Sequence, residues 1–162
     1  MFAAASNDGL NHPDGVAWPA HDINVICVHS GDGHGKPSAY TPAPQDSMRI
    51  MVLGESVRSA WPPQLNHRDG YRLMSGTSCA APIAAGLAAV VLGYARTFLS
   101  GEQWMILRGV TSMRRIFECM TNSPGHNVKE YIWIVPGMLF DTRRAEGWVQ
   151  EQIRKACGID AT

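Results

Sequence analysis

The sequence predicts an α/β fold, and three observations predict it. Short apolar segments in the first third of the chain each end in glycine or polar loop residues. Residues 79–95 then carry no charge over 17 positions. The remaining chain spaces its apolar residues as helices do. Residues 2–6 read as a buried strand of small residues that delivers Asn7-Asp8-Gly9 into a loop. Residues 23–29 form the clearest strand, β-branched and closed by Gly31-Asp32-Gly33, and residues 49–53 form a third, closed by Gly54. Residues 37–44 hold three prolines in eight positions and can be only loop or sheet edge.

The uncharged run is apolar on every helical face, so the sequence predicts a central helix over residues 78–96 that is buried all round. A membrane span is disfavoured: the run falls short of the ~20 residues a bilayer needs, is dominated by Ala and Gly, and contains Pro82. Residues 102–120 read as one or two helices with Trp104, Leu107, Met113, Ile116, Phe117 and Met120 inward. Residues 131–135 resemble a short strand. Residues 146–157 end the chain as an amphipathic helix with Trp148, Val149, Ile153 and Ala156 inward.

Composition bounds the function. With 162 residues and 45% hydrophobic content, the chain is large enough for a core that needs no metal or disulfide. Lys plus Arg and Asp plus Glu both number 14, and this balance excludes the basic face that phosphate binding requires. The pairs Arg114-Arg115 and Arg143-Arg144 read as solvated surface. Cys27, Cys79, Cys119 and Cys157 lack C-x-x-C spacing and are expected as buried free thiols, which favours an intracellular setting. The first residues lack the basic and long apolar regions of a signal peptide.

Chemistry concentrates in residues 75–86, Ser-Gly-Thr-Ser-Cys-Ala-Ala-Pro-Ile-Ala-Ala-Gly. Thr77 or Gly76 can cap the helix, which leaves Ser78 in the first turn, where unpaired N–H groups and the positive dipole end stabilise an oxyanion. Pro82 deprives the Ser78 carbonyl of its helical donor, a defect tolerable near a helix start. Gly76 and Ala80 leave room for a substrate backbone. On these residues alone, a nucleophilic serine and a plain helix cap both stand.

Gly76-Thr77-Ser78-x-Ala80-x-Pro82 followed by a small-residue helix resembles the nucleophile motif of the subtilases, the subtilisin-like serine peptidases. Ala3-Ala4-Ala5-Ser6-Asn7-Asp8-Gly9 resembles the strand and loop that present that family's oxyanion Asn. Trp18-Pro19-Ala20 and Gly54-Glu55-Ser56-Val57 resemble the intervening segments in the right order. The resemblance implies a partial subtilisin-like fold, one flank of a parallel sheet packed by the central helix. Residues 1–96 would be the C-terminal half of the catalytic domain and residues 97–162 its helical extension. It further implies that Ser78 attacks a peptide carbonyl, that the Asn7 amide and the Ser78 N–H receive the oxyanion, and that Ala4, Ala5 and Ser6 line a substrate pocket. The substrate would be a protein or peptide, with no metal and no cofactor assigned.

The departure from the family matters equally. A subtilisin triad runs Asp, His, Ser along the chain, so base and carboxylate are expected upstream of Asn7, on an N-terminal half that this sequence lacks. None of His12, His21, His29, His34, His67 and His126 occupies the family's His position. The chain alone is expected to be catalytically silent and, with an apolar sheet edge at residues 2–6, to associate. A noncatalytic interaction module on the same scaffold is the other reading. An acyl hydrolase of another fold would need Asp then His after Ser78, and His126 precedes both Asp141 and Asp160. Gly31-Asp32-Gly33-His34-Gly35 reads as a turn rather than a dinucleotide loop, and His29, Asp32 and His34 as loop polar groups rather than metal ligands. His67-Arg68-Asp69 matches a kinase loop by coincidence.

Overall fold

The computed structural model describes residues 1–11, 15–45, 48–65, 70–121, 131–141, 143–144 and 147–159. His12, residues 67–69, His126 and Asp160 lie outside them. Four parallel strands, β1 (Phe2–Ala4), β2 (Ile26–Gly31), β3 (Ile50–Leu53) and β6 (Ile132–Trp133), form one sheet in the order β1-β2-β3-β6. The register pairs Phe2 with Ile26, His29 with Met51 and Ile50 with Ile132. Between β3 and the central helix stands an antiparallel hairpin, β4 (Val57–Ala60) and β5 (Tyr71–Met74). Four helices follow: α1 (Thr77–Ala95), α2 (Gly101–Leu107), α3 (Val110–Glu118) and α4 (Trp148–Ala156).

The strands form where the sequence places apolar runs, with shifted ends. β2 starts at Ile26 rather than Ile23, because Asp22 closes a turn: its carboxylate accepts from the Asn24 N–H at 2.7 Å and its carbonyl from the Val25 N–H. Ile23 is left 74% exposed on that turn. β2 runs on to Gly31, whose carbonyl accepts from the Gly54 N–H at 2.9 Å. The hairpin escaped the pattern reading because β5 is exposed along its whole length and β4 nearly so, leaving no apolar face to alternate. Residues 102–120 resolve into α2 and α3, the first opened by a capping box between Ser100 and Gln103.

Each face of the parallel sheet is covered, as such sheets require. On one face Ile26, Val28, Ile50 and Val52 meet Ala80, Ala84 and Ala88 of α1 together with Ile116 and Phe117 of α3. Phe2 stacks at a tilt against Phe117 with ring centroids 5.7 Å apart. On the other face Ala3, Ala5 and Cys27 pack under Val16, Ala20 and Val25. All four cysteines are free thiols, but only Cys27 is buried; Cys79, Cys119 and Cys157 are half-buried, against the expectation that all four would be covered.

One expectation about α1 is overturned. The helix packs on β1, β2 and β3 as foreseen, but it is not buried all round: only the stripe Thr77, Ala80, Ala84, Ala88, Val91 and Ala95 is covered. Pro82, Gly86, Ala89, Val90 and Gly93 lie exposed on its other side. Composition gave no polar face to betray this, because every position is small or apolar; which of them are covered depends on what packs around the helix. By length and composition α1 also passes the test of a membrane span, a test that core helices pass as well.

Candidate active site

The site stands at the carboxyl ends of β1 and β3, where ligands collect on parallel sheets. β1 hands the chain to Ala5, whose N–H donates to the Val28 carbonyl at 3.0 Å, and then to Ser6 and Asn7. Ser6 turns the chain outward with φ of 132°. Its hydroxyl donates to the Asp8 carboxylate at 2.8 Å and accepts from the Asp8 N–H at 3.0 Å, which fixes the loop that carries Asn7.

Opposite, α1 begins against the end of β3. The Gly76 N–H donates to the Gly54 carbonyl at 2.8 Å. A side chain on Gly54 would collide with Ser30 Oγ and meet the Gly76 carbonyl at 2.9 Å and Ala80 Cβ at 3.0 Å, so the helix start can come this close only to glycine. Ser30 Oγ is itself held between Ser38 Oγ at 2.8 Å and Tyr40 Oη at 3.0 Å.

The cap of α1 comes from across the cleft. Gly76 occupies the N-cap position and offers no side chain, and Thr77 is the first helical residue rather than the cap. Asn7 Oδ1 instead accepts from the Thr77 N–H at 2.9 Å and from Thr77 Oγ1 at 3.0 Å. Thr77 Oγ1 in turn accepts from the Ser6 N–H at 3.4 Å. Two donors on the carbonyl oxygen of Asn7 orient its amide, so Nδ2 faces away from Thr77. The consequence is visible at Gly76: the point where a Cβ would stand lies 3.1 Å from Ser78 Oγ and 3.2 Å from Asn7 Nδ2. The serine hydroxyl and the amide donor therefore border the same small space. Any side chain at residue 76 would fill it.

Ser78 is exposed in the first turn of α1. Its N–H makes no hydrogen bond among the described residues, so that donor and Asn7 Nδ2 are both open at the positive end of the helix. Among the described residues no imidazole or carboxylate hydrogen-bonds Ser78 Oγ. The described histidines lie elsewhere: His21 sits against the Trp18 ring, His34 on the exposed turn after β2, and His29 inside the molecule. Asp32, on the turn of His34, accepts from the N–H groups of His34 and Lys36 at 2.8 and 2.9 Å, and these bonds hold its carboxyl below its usual range. The described residues contain no cluster of three His, Cys, Asp or Glu suited to a metal ion.

Of the expected pocket residues, Ala4 and Ser6 are half-buried, whereas Ala5 is fully buried and packs with Val16 and Ala20 beneath the sheet. Ala5 can border the cleft only through its backbone. The sequence reading missed the hairpin wall. Trp61, Arg72 and Met74, with Ser78, Cys79 and Pro82, line an open cavity of about 460 Å³ to which no residue of the Asn7 loop contributes. No periodicity signals the hairpin, because its strands are exposed along nearly their whole length.

Comparison with known proteins gives the family and the fold. The Subtilase family profile matches residues 1–127. Subtilisin-like protease het-Q2 of Podospora anserina is 35% identical over 102 residues, which cover 58% of this chain and 25% of that protein. Subtilisin DY of Bacillus licheniformis is 30% identical over 93 residues, 57% of this chain and 32% of that protein. Among solved structures, a lanthipeptide protease superimposes with a TM-score of 0.68 at 22% identity, covering 89% of this chain and 50% of that one. The self-cleaved protease domain of PatA gives 0.63 at 21% identity, over 98% of this chain and 50% of that one. The chain thus spans a quarter to a third of these curated relatives and half of these solved domains. The match over residues 1–127, more than half of its length, makes this chain a member of the subtilase family.

Proposed function

We propose that the chain is the serine-bearing part of a subtilisin-like endopeptidase. Ser78 Oγ attacks the carbonyl carbon of a peptide bond; the developing oxyanion accepts from Asn7 Nδ2 and from the Ser78 N–H. The observation that carries this reading is the space over Gly76, bordered at 3.1 Å by the hydroxyl and at 3.2 Å by the amide. It is the place for a tetrahedral oxygen, and the helix start adds its dipole there. Ala4 and Ser6, with the backbone of Ala5, form the wall for the residue whose carbonyl is attacked.

A serine hydroxyl is a weak nucleophile until a base takes its proton. The general base and its orienting carboxylate belong to an N-terminal half that docks on this chain, and the chain by itself is silent. The uncovered side of α1, with Val90 58% exposed, supports such a docking surface. A noncatalytic module on the same scaffold is the second reading, favoured by the lack of a base on Ser78 among the described residues. Labelling with a fluorophosphonate probe separates the two. The upstream-extended chain is expected to label, this chain alone to label little, and Ser78→Ala not at all. Labelling that survives Ser78→Ala removes the nucleophile; an extended chain that never labels leaves the noncatalytic module.

A further inference from the structure

The cavity beside Ser78 has a charge that the chemistry of the nucleophile does not use. The hairpin register pairs Val57 with Met74 and Ser59 with Arg72. Side chains alternate across a strand, so Val57, Ser59, Trp61, Arg72 and Met74 share one face, and Arg58 lies on the other with Tyr71 and Leu73. The first face is the one turned to Ser78, Cys79 and Pro82 across the cavity. Arg58 stacks over the Tyr71 ring at 4.4 Å. Arg58 and Arg72 both line the cavity and no Asp or Glu does; of the two, Arg72 shares its strand face with Ser59, Trp61 and Met74.

Arg72 is also held. Its guanidinium lies over the Trp61 ring, 4.7 Å from the centroid. Stacking occupies the face of a guanidinium and leaves its edge N–H groups directed outward, ready for a carboxylate. The ion pairs formed among the described residues are Arg143 with Asp141 and Lys155 with Glu151, so no described carboxylate neutralises Arg72. Apart from Arg58, the remainder of the lining is apolar or small, with Met74, Cys79, Pro82 and Ile83 among it.

The cavity includes Ser78 but no residue of β1 or of the Asn7 loop. Ala4 and Ser6 stand on the acyl side of the attacked bond in the peptidase reading, on which this inference rests, so the cavity stands on the leaving-group side. We propose that Arg72 is a specificity-determining residue that selects substrates with an acidic side chain shortly after the scissile bond. A carboxylate there meets the edge of the stacked guanidinium while its stem lies on Met74 and Pro82. Because Arg72 is exposed, the gain is that of a surface ion pair, about twofold to fivefold over a neutral isostere.

Matched peptides carrying Asp, Asn or Lys at each of the first three positions after the cleaved bond test this. They are compared by kcat/KM with the upstream-extended chain, with Ser78→Ala as the blank. Asp is expected to exceed Asn by about twofold to fivefold at one of these positions, less so at high salt. Arg72→Glu is expected to shift the preference to Lys, and Arg72→Lys to retain part of it. Cleavage with no acidic preference, or with a preference that survives Arg72→Glu, overturns the inference and spares the peptidase reading. No cleavage of any peptide overturns both.

Discussion

Asn7 holds two positions at once, and its two functional groups divide them. Oδ1 caps α1 through Thr77, and Nδ2 faces the space beside Ser78 Oγ. Asn7→Asp keeps the acceptor and removes the donor. It is expected to leave the thermal midpoint within a few degrees of the parent and to lower turnover of the extended chain by about 10²–10³, a range that comes from subtilisin itself. Asn7→Ala is expected to lose the same turnover and, in addition, about 1 kcal/mol of stability for the missing cap. His29 shows a different economy of one side chain. Its Nε2–H donates to the Met48 carbonyl at 2.9 Å, and Nδ1 accepts from Thr41 Oγ1 at 3.3 Å, whose oxygen accepts from the Ser30 N–H. Burial lowers its pKa from 6.5 to about 4, against the bonds to the Met48 and Pro42 carbonyls, which raise it. Below pH 6.5 the unfolded chain binds a proton that the folded chain refuses, so stability is full above that pH and falls on acidification towards pH 4. The expected loss is about 3 kcal/mol, read as a falling urea midpoint, and His29→Gln should flatten that slope.

At the scale of elements, the site is a contact between the end of one strand and the start of one helix. Gly54 governs how close they come, since Ser30 Oγ, the Gly76 carbonyl and Ala80 Cβ all crowd the place of its absent side chain. Gly54→Ala must push α1 off β3 or displace Ser30 from Ser38 and Tyr40. A loss of about 2 kcal/mol is expected in denaturant unfolding, with labelling of Ser78 weakened in the extended chain because the helix start moves relative to Asn7. Much of this architecture was legible in the sequence. The strands at residues 2–6 and 49–53 and the helix after Gly76 announce themselves by apolar runs closed with Gly or Asn. The β2 start did not, since Ile23 looks like a strand residue until Asp22 is seen to close the turn beneath it. Nor did the hairpin, whose exposed strands carry no burial pattern for periodicity to detect.

At the scale of the molecule, the covered stripe and the bare side of α1 decide how the chain behaves. Val90 is 58% and Tyr94 37% exposed on a helix that carries no charge between its first residue and Arg96, and β1 ends the sheet with one neighbour. Apolar surface and an unpaired strand edge of this kind drive association. Sedimentation of the chain alone is expected to give species larger than a monomer, and Val90→Lys to reduce them. A monodisperse monomer that unfolds cooperatively would count against a missing half. The sequence by itself determined the fold class, the succession of strands and central helix, and the identity of Ser78 and Asn7 as the residues of interest, because apolar periodicity and a motif of fixed spacing are local properties. Only the tertiary structure decided that Asn7, seventy positions away, caps the helix of Ser78, that α1 is bare on one side, and that Arg72 lies over Trp61 beside the cavity of Ser78. Those are matters of which surfaces meet, and contacts between distant segments are written in packing and register rather than in any stretch of residues.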